Sequence, residues 1–190
     1  RELQALVRRQ RQMCIRDRSL CLLDPKTSGS VNFYNPETKN MDSIDEIDDD
    51  GIRVFRRNMQ MIFQDPYESL NPRWTIKDII KEPLDIHNIG SLAEREDAIV
   101  EILRTVGLTP PENYLKRYPH EISGGQRQRV SIARTLVMKP KFVICDEPTS
   151  MLDVSIRISI MDLMLNLAKE LDVSYLYITH DLAVARYMCN

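Results

Sequence analysis

A short apolar run followed by two acids constrains this chain more than any other feature. Residues 142–145 read Phe-Val-Ile-Cys, and Asp146 and Glu147 come directly after them. A continuous apolar run of this length is typical of a strand that is covered on both faces in a parallel sheet. In nucleotide hydrolases such a first acid holds Mg²⁺, and the next acid orients or deprotonates the attacking water. Two acids that cap the next turn are the alternative interpretation.

The segment that follows repeats the pattern of a parallel sheet. Apolar side chains recur at helical spacing from 156 to 171, and residues 173–178 form a second buried strand that ends at Thr179 and His180. A strand, a helix and a strand at this spacing predict a parallel crossover. His180 then lies at the carboxyl end of its strand, where α/β sheets bind ligands, although a single histidine there is more often structural.

Upstream, the pattern predicts one more strand and then mainly helices. Residues 59–63 are an apolar run of strand length that ends at Gln64. We expect a short helix with Thr75 as its N-cap and an end before Pro83, because proline disfavours helix in the residue before it. Further helices are predicted over about 93–106 and 126–138. The predicted fold class is α/β.

A second candidate site opens the last of these helices. The signature segment, as we call residues 123–126, reads Ser-Gly-Gly-Gln. Ser123 suits an N-cap, and Gly124 and Gly125 let backbone N–H groups approach an anion at the positive end of the helix. Taken alone, the same residues also fit a serine-capped helix with a flexible lead-in.

Composition excludes several classes of protein. The formal net charge of -2 gives no basic surface for nucleic acid, and no apolar run approaches the ~20 residues that span a bilayer. Four scattered cysteines without a CxxC pair make a zinc or disulfide framework improbable and favour a reducing compartment. Six acids between residues 42 and 50 lack the spacing of a calcium loop, so we expect a solvated loop that leads into a helix.

Taken together and in order, these motifs resemble the ATP-binding domains of the ABC ATPase family. Gln64 matches the Q-loop, residues 123–126 match the signature, and residues 142–147 match the Walker B strand with its following glutamate. Residues 150–153, Ser-Met-Leu-Asp, match the D-loop, and His180 matches the switch histidine. The surroundings of Gln64 and the residues just before the signature resemble the oligopeptide, dipeptide and nickel importers.

The resemblance implies a P-loop NTPase-like parallel sheet core with an inserted α-helical subdomain at about 70–138, within a domain that covers 20–190. It implies ATP and Mg²⁺ as cofactors, and two such domains that face each other with ATP between them. By the family's pattern, Glu147 is the general base and His180 contacts the γ-phosphate, while Asp146 and Gln64 lie at Mg²⁺. The residues implied to contact the partner's ATP are Ser123, Gly124, Gly125 and Gln126. Asp153 is implied to lie across the dimer interface.

The implied function is coupling of ATP hydrolysis to oligopeptide or dipeptide import. The implied partners are a second ABC domain, permease subunits that contact the helical region and, indirectly, a peptide-binding protein, but no nucleic acid. The implied location is the cytoplasmic face of the cell membrane. Two alternatives stay open: a hydrolysis-deficient partner that supplies its signature in trans, and a soluble ABC ATPase without a transport role.

The first 19 residues depart from the family. Residues 1–18 contain six arginines and no glycine, and the glycine-rich Walker A loop with its lysine, expected near Gln12 and Met13, is missing. We expect either foreign or corrupted residues joined to a gene fragment, or a naturally degenerate subunit. The chain by itself is then expected not to hydrolyse ATP. The family also continues beyond Asn190, so we expect the C-terminus to be missing as well.

Overall fold

A computed structural model describes residues 29–35, 39–44 and 48–189 of the chain. The chain divides into two compact units, one that ends at Gln60 and one that starts at Met61. Each unit is described by itself. The anomalous segment 1–19 lies outside the described residues.

The first unit contains a hairpin and a helix. Strand β1 (Asn32–Asn35) pairs antiparallel with strand β2 (Asn40–Ser43), and helix α1 covers Asp49–Asn58. Phe55 is fully buried, and its ring packs edge-on against Phe33 at a centroid distance of 5.3 Å. This aromatic pair ties the helix to the hairpin.

The acidic segment runs into helix α1 as predicted, but it does not begin as a loop, because Asp42 belongs to strand β2. The side chain of Asp48 accepts a hydrogen bond from the Gly51 backbone N–H at 2.8 Å, which satisfies one of the free donors at the helix start. Residues 45–47 lie outside the described part of the chain. Among the residues that are described, no group of three or more acids, histidines or cysteines is arranged to hold a metal ion.

The second unit is an α/β unit with a short sheet. Its strands lie in the order β3, β4, β5, and β4 pairs with β5 in parallel. The elements from β3 onward are, in chain order, β3 (Met59–Ile62), α2 (Pro66–Ser69), α3 (Ile76–Ile86), α4 (Leu92–Thr105), α5 (Glu112–Leu115), a 3-10 turn (Pro119–Glu121), α6 (Gly124–Leu136), β4 (Phe142–Asp146), α7 (Val154–Glu170), β5 (Ser174–Ile178) and α8 (Leu182–Met188).

Strand β4 is the buried strand that the apolar run before Asp146 predicts. Val143, Ile144 and Cys145 are fully buried, because the strand has a neighbour on each side and helices over its faces. The parallel crossover through α7 to β5 is confirmed as well, but β5 is not the buried strand that was predicted, because it lies at the edge of the described sheet and Leu176 is 38% exposed. The fold class is therefore the predicted α/β one, with a P-loop NTPase-like parallel sheet core.

Helix α3 both confirms and corrects the sequence reading. Thr75 caps it as predicted, through a capping box in which its hydroxyl accepts from the Asp78 backbone N–H. The predicted end before Pro83 is wrong, because the helix continues through this residue to Ile86. Pro83 and Leu84 are buried in the core, so packing of this face outweighs the hydrogen bond that proline cannot donate.

The helices between β3 and β4 share one apolar core with the sheet. Fully buried members include Ile62, Ile80, Leu103, Ile132 and Val143. Helix α4 ends where predicted, since Gly107 has a φ of +76°, a conformation that favours glycine. The division of this unit into a core and a helical subdomain at 70–138 stays a prediction. No helix in the described part of the chain is long and apolar enough to cross a membrane.

Candidate functional site

The site lies at the carboxyl edge of the parallel pair. Asp146 at the end of β4 is in register with Ile178 at the end of β5. The Glu147 backbone N–H donates to the Ile178 carbonyl at 3.0 Å, which carries the pairing one residue further. Glu147 itself has a φ of +43°, a left-handed conformation that costs energy for a non-glycine residue and is often found at functional sites. The sheet thus delivers Glu147 and His180 to the same edge.

Three residues predicted from sequence meet there. His180 Nδ1 lies 2.6 Å from Glu147 Oε1, and Gln64 Nε2 donates to Glu147 Oε2 at 3.3 Å. Gln64 follows β3, so residues from the ends of three neighbouring strands share one cluster. Both carboxylate oxygens of Glu147 therefore have a partner, and the side chain is held in one orientation.

Ser150 also belongs to this cluster and was missing from the predicted site residues. Its hydroxyl accepts from Gln64 Nε2 at 3.3 Å and donates to the Glu147 carbonyl at 3.0 Å. The Ser150 backbone N–H donates to the same carbonyl at 3.1 Å. These two bonds support the left-handed backbone of Glu147. The D-loop motif that begins at Ser150 was the available signal, but it did not indicate which side chain would point back to the strand end.

The cluster favours a protonated His180. The hydrogen bond that His180 donates to Glu147, together with the negative charge of Glu147, raises the pKa of His180 above the ordinary value. The His180 side chain is 72% exposed, whereas that of Glu147 is only 13% exposed. The ion pair therefore forms at the rim of the site, with the carboxylate inside and the imidazole at the opening.

Asp146 offers a carboxylate that suits a divalent cation. It is largely buried, and burial, followed by the negative charge of Glu147, raises its pKa. No described residue donates a hydrogen bond to it, so a cation would supply the missing compensation. The Oε1 of Gln64 accepts no hydrogen bond from the described residues, since both recorded contacts of its amide involve Nε2. Carboxylate and amide oxygens are ligands that Mg²⁺ accepts, and it keeps waters and phosphates as the others.

A small, partly open cleft lies beside the cluster. Glu147, Ser150 and His180 form one part of its lining. Arg157 and Asp181 form another part, and Arg157 Nη1 lies 3.6 Å from Asp181 Oδ2. Both signs of charge face the cleft, so it suits a polar ligand such as water or a phosphate group.

The signature segment lies apart from this cluster. Ser123 Oγ accepts from the Gln126 backbone N–H at 3.3 Å, and Gln126 Oε1 accepts from the Ser123 N–H at 3.0 Å, so the predicted cap is a complete capping box. Gly124 and Gly125 form the first turn of α6. Within the described part of the chain, no hydrogen bond or ion pair joins residues 123–126 to Glu147.

Gly125 has a packing role that the sequence did not predict. A Cβ at this position would lie 2.7 Å from Ile156 Cγ2 on α7, whereas one at Gly124 would lie 3.9 Å from its nearest neighbour, a side-chain atom of Leu152. Glycine at 125 therefore permits the close approach of α6 to α7.

Asp153, the other predicted interface residue, precedes α7 and is exposed. Its side chain makes no capping hydrogen bond to the helix. In this structure Asp153, like Ser123, is exposed and can contact another molecule. The role assigned to it stays a prediction.

Comparison with known proteins agrees with this geometry. The profile of the family described as "ABC transporter" matches residues 18–150. The oligopeptide transport ATP-binding proteins AppF and OppF of Bacillus subtilis are 43% and 47% identical to the chain, each over 91% of it, which corresponds to 50% and 55% of their own lengths. The di/tripeptide transport ATP-binding protein DppF of Pseudomonas aeruginosa is 43% identical over 91% of the chain and 51% of its own length. The chain spans about half the length of the curated relatives it matches.

Solved structures lead to the same family. The ATP-binding cassette MJ0796, in a dimeric post-hydrolysis state bound to ADP and Pi, superposes with a TM-score of 0.73 at 31% identity, over 93% of this chain and 72% of that one. A second dimeric structure of MJ0796, described as a bacterial ABC transporter cassette, superposes with a TM-score of 0.72. The resemblance inferred from Gln64, Glu147 and His180 is thus confirmed, and the chain belongs to the ABC transporter family.

Proposed function

We propose that this chain is the hydrolytic part of a subunit that couples ATP binding and hydrolysis to import of oligopeptides or dipeptides through a membrane permease. The observation that carries the proposal is the cluster at the carboxyl edge of the sheet. It combines an unpaired buried acid, Asp146, with a base candidate, Glu147, that is held by Gln64 and His180. The names of the relatives add the class of cargo.

The cofactor would be ATP with Mg²⁺, which supplies a γ-phosphoryl group polarised for attack by water. Asp146 and Gln64 Oε1 would hold the metal. Glu147 would accept a proton from the attacking water, so its Oε1 must exchange the contact with His180 for one with the water. The released His180 would then donate to a phosphate oxygen.

The signature segment would act on a second molecule. Its capped helix start presents Ser123 and free backbone N–H groups, which suit a phosphate, but it makes no hydrogen bond to the cluster around Glu147. We therefore propose that residues 123–126 bind the ATP of a second ABC domain, and that Asp153 contacts that domain. The structurally similar cassette MJ0796, which was solved as a dimer, supports this arrangement.

A second candidate function follows from the absence, among the described residues, of any hydrogen bond between the signature segment and the cluster around Glu147. A subunit that offers only its signature would complete a partner's ATP site without hydrolysing ATP itself. In both cases the partners are permease subunits and a second ABC domain. The subunit would work at the cytoplasmic face of the membrane.

The test uses the complete subunit, purified with its permease and partner and reconstituted in phospholipid vesicles. We expect ATP hydrolysis together with uptake of a labelled oligopeptide or dipeptide. Glu147→Gln should lower kcat at least about 100-fold, because the proton acceptor is lost, while nucleotide binding stays unchanged. Glu101→Gln on the exposed face of α4 is the matched control and should leave kcat unchanged.

Three outcomes would change the proposal. Hydrolysis that survives Glu147→Gln would reject the assigned base. Hydrolysis only after mixing with an intact homologue would favour the trans-acting partner. Hydrolysis without peptide uptake, together with capture of ribosomes or DNA, would favour an ABC ATPase with no transport role.

A further inference from the structure

Arg127, on the first turn of α6, is a buried cation without a carboxylate partner in the described part of the chain. It is 8% exposed, and its guanidinium lies 3.6 Å above the centre of the Tyr67 ring. It donates to the Tyr67 hydroxyl and, at 3.0 Å, to the Pro119 carbonyl. A buried charge is costly unless it is compensated, and the face of an aromatic ring provides part of that compensation. Tyr67 is thus a principal partner of this cation.

Tyr67 belongs to the same short turn as Gln64. Asp65 caps helix α2, and its Oδ1 accepts from the Tyr67 backbone N–H at 2.7 Å. Only two residues separate Gln64 from Tyr67, and the cap fixes the backbone between them. A shift of the backbone at Gln64 would therefore reach Tyr67 through this short capped segment.

Arg127 belongs to the same turn as Ser123. The Arg127 backbone N–H donates to the Ser123 carbonyl at 2.8 Å, and the capping box with Gln126 holds the start of that turn. The guanidinium is therefore carried by the helical turn whose other end is Ser123. A displacement of Tyr67 would act on this turn through the ring and hydroxyl contacts of Arg127.

A second arginine on α6 contacts the end of helix α2. Arg134, two turns further along α6, donates to the Ser69 carbonyl at 3.2 Å and pairs with Glu82 at 2.7 Å. This contact fixes the far end of α6 to the end of α2. Thr135 on the same helix also donates to the Met61 carbonyl at 3.5 Å, but Arg127 is the contact that belongs to the turn of Ser123 itself.

We propose that Arg127 is a positioning residue which, through its contact with Tyr67, sets the placement of the Ser123 turn according to the state of Gln64. The inference rests on the proposed function, in which Gln64 faces one ATP and Ser123 faces the other. Within one chain, the contact of Arg127 with Tyr67 would then be one link between the two sites. Because Tyr67 is 62% exposed, the outer side of this link also faces solvent.

The experiment follows ATP-driven association of the complete subunit with its second ABC domain, in a Glu147→Gln background that preserves ATP. Arg127→Met and, separately, Tyr67→Leu should each raise the ATP concentration for half-association about tenfold, the factor expected for loss of a desolvated cation–ring contact. Tyr67→Phe keeps the ring and should stay within about twofold of the parent. Binding of a fluorescent ATP analogue to the subunit alone should be unchanged.

Arg129→Met is the matched control. Arg129 lies on the same helix, but it bonds to the Val106 carbonyl and the Ser159 hydroxyl on other elements. We expect this variant to associate as the parent does. An equal loss with Arg129→Met, or normal association with both Arg127→Met and Tyr67→Leu, would overturn the inference. Absence of ATP-driven association in the parent itself would instead contradict the proposed function on which it rests.

Discussion

Addition of a methyl group at Gly125 should destabilise the protein through one identifiable contact. In Gly125→Ala the new Cβ would lie 2.7 Å from Ile156 Cγ2, roughly 1 Å inside the usual distance between carbon atoms. Gly125 is buried between α6 and α7, so neither helix moves without disturbing the core. Overpacking of this kind costs about 1–3 kcal/mol.

The helix propensity of alanine offsets part of that cost. Alanine in a helix is favoured over glycine by about 1 kcal/mol, so we expect a net loss of up to about 2 kcal/mol in the free energy of unfolding. Gly124→Ala is the matched control. Its new Cβ would meet only an ordinary contact at 3.9 Å, so this variant should be neutral or more stable by up to about 1 kcal/mol.

Urea unfolding followed by circular dichroism measures both variants. Ile156→Ala removes the Cγ2 that clashes, so the double variant should recover about 1 kcal/mol relative to the sum of the single changes. Equal stability of Gly125→Ala and Gly124→Ala would refute the reasoning. Additive effects of Gly125→Ala and Ile156→Ala would show that the cost arises elsewhere.

Three further predictions follow from burial and charge. His180 should titrate above about 6.5 by NMR, since the contact with Glu147 raises its pKa, and Glu147→Gln should remove the shift. The stabilisation from the His180–Glu147 pair is complete below the pKa of His180 in the unfolded protein, and it is lost as pH rises through the pKa of His180 in the folded protein. Asp146→Asn should stabilise the nucleotide-free protein at neutral pH, because it removes a buried charge beside Glu147, while it weakens Mg²⁺-dependent hydrolysis. Leu103→Ala should cost about 3 kcal/mol in urea unfolding, whereas Leu92→Ala on the same helix, at 70% exposure, should cost less than about 0.5 kcal/mol.

Each of these has a result that would count against it. An unshifted His180 in the parent would mean that the pair with Glu147 does not persist in solution. A less stable Asp146→Asn protein would mean that the carboxylate has a donor after all. Equal losses at Leu103 and Leu92 would contradict the assigned core.

Much of the local structure was predictable because it depends on residues close together in the chain. The capping boxes of Thr75 and Ser123 are built from side chains three residues apart, and the sequence places both helix starts correctly. The apolar run before Asp146 predicts a buried strand for the same reason. At Pro83 local preference failed, because the buried face around it stabilises the helix more than proline weakens it.

The sequence by itself determined which chemical groups are present and which ends of elements carry them. Only the tertiary structure decided that Gln64, Glu147 and His180 share one cluster with Ser150, and that Arg127 lies on Tyr67. These contacts join residues far apart in the chain, so they depend on strand order and on how helices approach one another. Such contacts leave no periodic pattern in the sequence, because each is made by a single pair of side chains after the core has fixed the elements around it.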